Sequence, residues 1–207
     1  GIDDGRETRA THFVTESEGI DEEEGERERK AVCAIDVMDT SLVECSYTSL
    51  LDTQSFVART FEKAGLVLNR CHAAFSLSGI YAMHFSNVSV TDSAIEYIML
   101  GAAVRIDDNA RGHIKRCDIR ECTYGVAMYE AAQVVVEASA MLNCSHGAYV
   151  AGVNNECLVT LKNNQVHTDL DSDIWWTLER PKVLKEEGRN EHFDHSKAFG
   201  DVLETLG

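Results

Sequence analysis

The densest run of side chains able to move protons is Arg111-Gly112-His113-Ile114-Lys115-Arg116. In an extended chain successive side chains alternate between two faces, so His113 and Lys115 turn outward together, with Asp118 close behind. An imidazole, an amine and a carboxylate on one surface can serve as general acid and base. Hydrolysis of a glycosidic bond asks for more, namely two carboxylates at a controlled separation. The run sits inside a repeat, and the places equivalent to His113 in the copies before and after it hold Ser89 and Val135, so no second carboxylate is supplied there. The residues alone therefore favour a solvated outer face with local charge pairing over a catalytic centre.

A second cluster is Asp107-Asp108-Asn109, which would offer oxygen ligands to Ca²⁺ if Asp92 approached it. Asp and Asn also collect at chain corners because their side chains bond their own backbone, and that turn role is the simpler reading, with no metal expected. His192, Asp194 and His195 form no zinc signature, and the chain has no phosphate-cradling glycine loop, Gly-x-Ser-x-Gly elbow or His-Glu-x-x-His helix. No cofactor is expected. Seven cysteines, at 33, 45, 71, 117, 122, 144 and 157, lack the dense spacing of a disulfide scaffold. Cys122 and Cys144 take equivalent places in consecutive copies, close enough to bridge if they stack, but their parallel side-chain directions argue against a bond. The cysteines read as small buried hydrophobes.

The repeat is what would position these residues. Gly79, Gly101, Gly125 and Gly147 follow one another at intervals of 22, 24 and 22. Before each glycine comes a short alternating stretch: Leu66-Val67-Leu68, Val88-Ser89-Val90, Gly112-His113-Ile114 and Val134-Val135-Val136. Next comes a small residue (Cys71, Ser93, Cys117, Ser139), then an apolar one (Ala73, Ile95, Ile119, Met141). After each glycine stands a third apolar pair: Ile80 and Ala82, Ala102 and Val104, Val126 and Met128, Ala148 and Val150. A partial copy starts at Val159 and Leu161, with Asn164 in the small-residue place. An earlier one is read in Ile35-Asp36-Val37 and Leu42-Val43, with Asp52 to Phe61 as an insertion. Three period-2 strands per repeat of about 22 residues describe an all-β solenoid, in which inward columns stack into one core because no single coil can bury its own apolar side. Helical repeats would show a period of 3.6 instead. The glycines fit a corner with positive φ or a close approach between coils.

Outside the repeat the character changes. Residues 1–30 carry eleven acidic and five basic side chains and read as a disordered acidic tail. The sequence divides into that tail, a solenoid over 31–168, and a capping segment over 169–207. In the last segment Trp175-Trp176 would cover the open solenoid end, and Phe199, Val202, Leu203 and Leu206 form the stripe of a short amphipathic helix. The 207 residues carry a formal net charge of -16, which disfavours nucleic acid and anionic membrane as partners. No apolar run approaches the length of a membrane span. The chain opens on Gly1 without an initiator Met, as a processed form or a piece of a longer protein would. The cysteine usage points to an intracellular, cytoplasmic setting, while the triplets Asn87-Val88-Ser89 and Asn143-Cys144-Ser145 leave a secreted form open.

On its coil period, its corner glycine, its strand triplets and the small or Asn residue at the turn (Asn163-Asn164), the stretch 31–168 resembles the right-handed parallel β-helix proteins of the pectin-lyase-like group, with their carbohydrate-binding and sugar-hydrolase repeat domains. The resemblance implies a right-handed parallel β-helix of about five to six coils. It does not fix an activity, because that fold carries lyases, hydrolases, tailspikes and non-catalytic adaptors. His113 and Lys115 resemble the His and Arg-Lys elements of the hydrolases, but the aspartate cluster that accompanies them there is missing. The expected role is a non-catalytic interaction module or scaffold subunit that binds a protein, or a glycan, through outward strand faces. Tyr81 and Tyr149 would sit at equivalent places flanking Ala103 and Ala127. The alternative is a polysaccharide-active lyase or hydrolase using His113, Lys115 and Asp118. A third possibility is a structural subunit of a larger assembly.

Overall fold

The computed structural model describes residues 32–151, 157–168, 174–176, 183–187 and 191–192. These residues form 21 strands and no helix, arranged as three parallel sheets of seven strands each. The chain visits the sheets in strict rotation, so each sheet contains every third strand and one circuit lays down one level of the solenoid. The first sheet begins with Cys33–Val37, Phe56–Thr60 and Ser78–Ala82; the second with Leu42–Ser46, Gly65–Asn69 and Asn87–Thr91; the third with Ser49–Leu51, His72–Ser76 and Ala94–Ile98. From the first level to the seventh the chain makes about six turns.

The second sheet shows why this sequence winds in this way. Leu66 pairs with Val88, Val88 with Gly112, Gly112 with Val134 and Val134 with Val159, and the column two residues on runs through Leu68, Val90, Ile114, Val136 and Leu161. All of these are buried, and the residues between them face outward. Alternation at period 2 sorts the side chains, and stacking at about 4.8 Å turns each inward column into continuous core. At the corner after the second sheet, Cys71, Ser93, Cys117, Ser139 and Asn164 are buried one above another. Here small polar groups meet backbone donors that the corner leaves unpaired: Cys71 N donates to Ser93 Oγ (3.0 Å), Cys117 N to Ser139 Oγ (3.1 Å) and Ser139 N to Asn164 Oδ1 (2.9 Å). An apolar residue in that column would leave these donors buried without a partner, which costs about 1–3 kcal/mol each.

Three expectations are corrected. First, Asp52 to Phe61 is not an insertion: it contains the first-sheet strand Phe56–Thr60, paired with Cys33–Val37. Second, the third apolar pair of the fourth level is Val104 and Ile106, not Ala102 and Val104, since Ile80 pairs with Val104 and Ala82 with Ile106. The cause is local. Ala73 to Ile80 and Ile119 to Val126 are each seven positions apart, whereas Ile95 to Val104 is nine, so two extra residues lie in the corner around Met99, Leu100 and Gly101. Ala103, between Ala102 and Val104, therefore takes the place level with Gly125, and Gly101 stands in the corner. Third, strands continue past residue 168, with Ile174–Trp176, Val183–Glu187 and Glu191–His192 adding a seventh strand to each sheet. Trp175 pairs with Tyr149 and Trp176 with Val150. The acidic tail and the amphipathic stretch Phe199 to Leu206 lie outside the described residues.

The in-column glycines serve close approach. A Cβ on Gly79 would fall on the carbonyl oxygen of Ala103, and one on Gly125 would lie 2.5 Å from the carbonyl oxygen of Gly147. The left-handed corners are instead made by other residues: sixteen among those described have φ between 50° and 63°, including Asp39, Glu62, His84 and Asp108 at one corner and Arg70, Asp92 and Ala138 at the next. This difference predicts opposite outcomes for two substitutions. Gly125→Ala forces the backbones of two levels apart and costs about 1–3 kcal/mol, lowering the melting temperature by about 2–4 °C per kcal/mol. Ala138→Gly relieves left-handed strain of about 1 kcal/mol against an entropic cost of about 0.5–1 kcal/mol, and melts close to wild type. Thermal denaturation followed by circular dichroism checks both, and a Gly125→Ala protein that melts with wild type contradicts the close-approach account.

Candidate functional site

On the outer face of the first sheet one column runs Asp36, Arg59, Tyr81, Arg105, Ala127 and Tyr149, each paired with the next. Tyr81 and Tyr149 do share a column, as the repeat implies, and Ala127 lies below Tyr149. The place beside Tyr81 belongs to Arg105 rather than Ala103, because of the two-residue insertion. A flat sheet holds these residues about 4.8 Å apart, which is the spacing at which rings and guanidinium groups stack.

They do stack. The Arg105 guanidinium lies 4.9 Å from the Tyr81 ring centre and 4.3 Å from that of Tyr129. Asp107 holds it from the side: Arg105 Nε donates to both carboxylate oxygens at 3.2 Å and a terminal nitrogen donates to Oδ2 at 2.8 Å. Tyr81 donates its hydroxyl to the same Oδ2 at 2.7 Å. The Asp107 side chain is only 10% exposed, so burial strengthens each of these bonds. Burial, and then the bond to Asp107, push the Tyr81 phenol above its ordinary value; burial does the same to Tyr129. Below this group Arg59 pairs with Asp36 and lies 5.4 Å from the ring centres of both Phe56 and Phe61, and Phe56 stacks on Tyr81 at 5.7 Å. Above it Tyr124 stacks on His146 at 5.3 Å and meets Tyr149 at 4.7 Å. Burial lowers the His146 pKa, so this stack is one of neutral rings at physiological pH.

Between the two aromatic groups the face sinks into a hollow of about 150 Å³. Its floor is Ser78, Gly79, Gly101 and Ala102, which have little or no side chain, and its walls are Phe56 and Tyr81 below, Tyr124 and Tyr129 above, with Arg105 alongside. Leu100, 72% exposed, stands on the rim. The corner that holds the insertion thus supplies Gly101 to the floor and Leu100 to the rim. A larger open depression of about 560 Å³ follows the corner between the first and second sheets, past Asp39, Glu62, His84 and Asp108. The Asp108 and His84 side chains each cap the corner one level below, His84 N donating to Asp108 Oδ2 (2.9 Å) and Glu62 N to His84 Nδ1 (3.2 Å).

The other predicted residues are dispersed. His113 and Lys115 face outward on the second sheet, where both approach Glu137 one level up, at 3.8 Å and 3.2 Å. The bond from Lys115 holds the Glu137 carboxyl below its usual range. Asp118 lies round the next corner on the third sheet, paired with Arg120, so the three do not converge. Asp92 forms a two-pronged pair with Arg116, both contacts 2.6 Å, at the corner between the second and third sheets, whereas Asp107 and Asp108 belong to the corner before the second sheet. No group of three or more His, Cys, Asp or Glu among the described residues is placed to hold a metal ion. All seven cysteines are thiols rather than disulfides, and burial pushes the Cys117 and Cys157 thiols up to about 11, far from the range of a reactive thiolate. Sequence reasoning missed Arg105, Asp107 as its anchor, Phe56, Tyr124, Tyr129 and Glu137. The signal for Glu137 was available, since it lies one 22-residue repeat beyond Lys115, whereas Arg105, 24 positions beyond Tyr81, was concealed by the two-residue insertion.

A chain that lays three parallel sheets in rotation around one core is a β-solenoid. A family model described as a right handed beta helix region matches residues 56–174, more than half of the 207, and the chain belongs to that family. No curated protein and no solved structure matches it.

The raised Tyr81 phenol gives a pH test. Its pKa is higher folded than unfolded, so the stability it brings is complete below pH about 10, its unfolded value, and is lost as the pH climbs toward the folded one. Wild type should melt above Tyr81→Phe at pH 8 by the worth of a hydrogen bond to a charged group, about 1.5–3 kcal/mol, and the gap should narrow above pH about 10. A gap that stays constant to high pH removes the buried bond to Asp107 from the account.

Proposed function

We propose that this β-helix is a non-catalytic interaction module, or a scaffold subunit of a larger assembly, that docks a protein partner on the outer face of its first sheet. The observation that carries this reading is the guanidinium of Arg105, clamped between Tyr81 and Tyr129 and fixed by Asp107. Tyr, Trp and Arg dominate the energetic centres of protein interfaces because they bury much area for few rotatable bonds. Here the side chains are already held, so docking loses little of their freedom. The Arg105–Asp107 and Arg59–Asp36 pairs neutralise themselves within the face and leave an aromatic surface to meet a partner. Reduced cysteines fit an intracellular setting for such a module.

The polysaccharide-active alternative has less behind it. Both oxygens of Asp107 are committed to Arg105 and Tyr81, and His113, Lys115 and Asp118 are divided between two sheets. A glycan bound without turnover would use the same aromatic face.

The test begins with affinity capture from the native source and identification by mass spectrometry, followed by titration of the purified partner. Tyr81→Ala with Tyr149→Ala should weaken binding by at least about 2 kcal/mol, roughly thirtyfold, while His113→Ala with Lys115→Ala, on the second sheet, leaves it intact. Unchanged affinity in the tyrosine pair refutes the assignment of this face. Turnover of a polysaccharide that disappears in His113→Ala would move the function to the enzyme alternative.

A further inference from the structure

We propose that the hollow between the two aromatic groups receives the ring of a proline, and that the partner segment lying on the first sheet is an extended, proline-rich peptide. This rests on the docking reading and names the chemistry of its ligand.

Size comes first. About 150 Å³ is comparable to an apolar protein cavity of about 150 Å³ that takes up one benzene molecule, enough for one five- or six-membered ring. Charge comes next. Arg105 and Asp107 cancel, and a chain of net charge -16 repels an anion at long range, so an acidic group gains little here. A cation is disfavoured as well, because the guanidinium of Arg105 already occupies the faces of Tyr81 and Tyr129. The occupant is neutral.

Hydrogen bonding selects among neutral rings. A sugar ring carries several hydroxyls, and each one buried without a partner costs free energy. The carboxylate beside the hollow, the strong acceptor that sugar hydroxyls would seek, is engaged, both Asp107 oxygens being held by Arg105 and one of them also by the Tyr81 hydroxyl, whereas the hydroxyls that remain in the lining, on Ser78, Tyr124 and Tyr129, can donate. Arg105 uses Nε and one terminal nitrogen on Asp107, which leaves the donors of its other terminal nitrogen for an incoming carbonyl. A prolyl residue has this complement of needs: an apolar ring for aromatic walls, no backbone N–H to leave orphaned, and a preceding carbonyl that accepts one donor.

The spacing of the sheet agrees. A polyproline II helix has three residues per turn and a rise of about 3.1 Å, so residues i and i+3 lie about 9.3 Å apart on one side. Two levels of the solenoid are about 9.6 Å. A peptide running along the solenoid axis with residue i in the hollow, at the levels of Ser78 and Ala102, sets residue i+3 against Tyr124, His146 and Tyr149, which pack together two levels further on. Both tyrosines of the column then have a role, Tyr81 as a wall of the hollow and Tyr149 as the rest for the second proline. Aromatic-lined grooves recognise preformed polyproline helices in this manner because little chain entropy remains to be lost.

The probe is an acetylated decaproline peptide, titrated into the full chain and followed by calorimetry and by ¹⁵N chemical shifts. Saturable binding is expected, with shifts centred on Ser78, Gly101, Ala102 and Arg105 and an affinity nearly independent of salt. Ser78→Leu, which fills the hollow from its floor, should weaken binding at least about tenfold. If that variant does not fold, Tyr124→Ala should weaken binding comparably while Tyr124→Phe retains it. Absence of saturable binding at millimolar peptide, binding undiminished in a folded Ser78→Leu protein, or a hollow that answers only to cellohexaose or oligogalacturonate overturns the proposal. Should the purified partner depend on Tyr81 and Tyr149 while decaproline fails, only the proline assignment falls. Should the partner ignore both tyrosines, the docking face falls with it.

Discussion

Within the described coils each strand residue between the first and last levels must tolerate a counterpart about 4.8 Å above it and another below, and the rest of the described structure follows from that constraint. Inside the solenoid it favours like on like, as in the column Leu68, Val90, Ile114, Val136 and Leu161. Where the chain turns, small polar residues such as Ser93 and Ser139 are admitted because the level below offers each a backbone donor. On the outside, like charges stacked at that distance would repel, and the first sheet avoids this. Arg59 and Arg105 are separated by Tyr81, and each has its own aspartate. The aromatic ladder is thus a solution to stacking cations, whatever it docks.

The same constraint explains how much could be read from the sequence. The second sheet was legible from Leu66 to Leu161, since its strands recur there with matched triplets and its corner column of Cys, Ser and Asn keeps step from Cys71 to Asn164, while its last strand, Val183–Glu187, was not. The first sheet was legible only up to a shift. Glycine is a poor marker of register when one glycine, Gly101, belongs to an inserted corner and the residue level with Gly125 is an alanine. Because Ala102 and Val104 are apolar like Val104 and Ile106, the hydrophobic pattern could not expose the slip. The Phe56–Thr60 strand was missed for a related reason: Val57, Ala58 and Thr60 are all buried, so its polarity does not alternate cleanly.

At the site, Tyr81 and Tyr149 came through because both lie in the repeat, while Arg105 was hidden by the shifted register. Asp118 was grouped with His113 and Lys115 by nearness in sequence. Arg116, with φ of 52°, turns the chain between them, and the three end on two sheets. Alternation is a sound guide within a strand and fails across a corner, where two residues can reverse the sense of outward.

The insertion at Met99–Gly101 links these points. A solenoid absorbs extra residues at a corner at little cost, because the columns on either side regain their register within the same circuit, as Gly112 opposite Val88 demonstrates. The extra length does not leave the surface unchanged. It advances the fourth-level strand so that Arg105, not a small residue, stands between Tyr81 and Ala127, and it brings Gly101 and Leu100 to the edge of the first sheet. A periodic ladder offers the same side-chain environment at every level and has no means of choosing where a ligand should sit. The fourth level, with two residues more than the levels on either side of it, sets Arg105 against Tyr81 and Leu100 on the rim of the hollow, and the docking proposed above would draw on that local asymmetry.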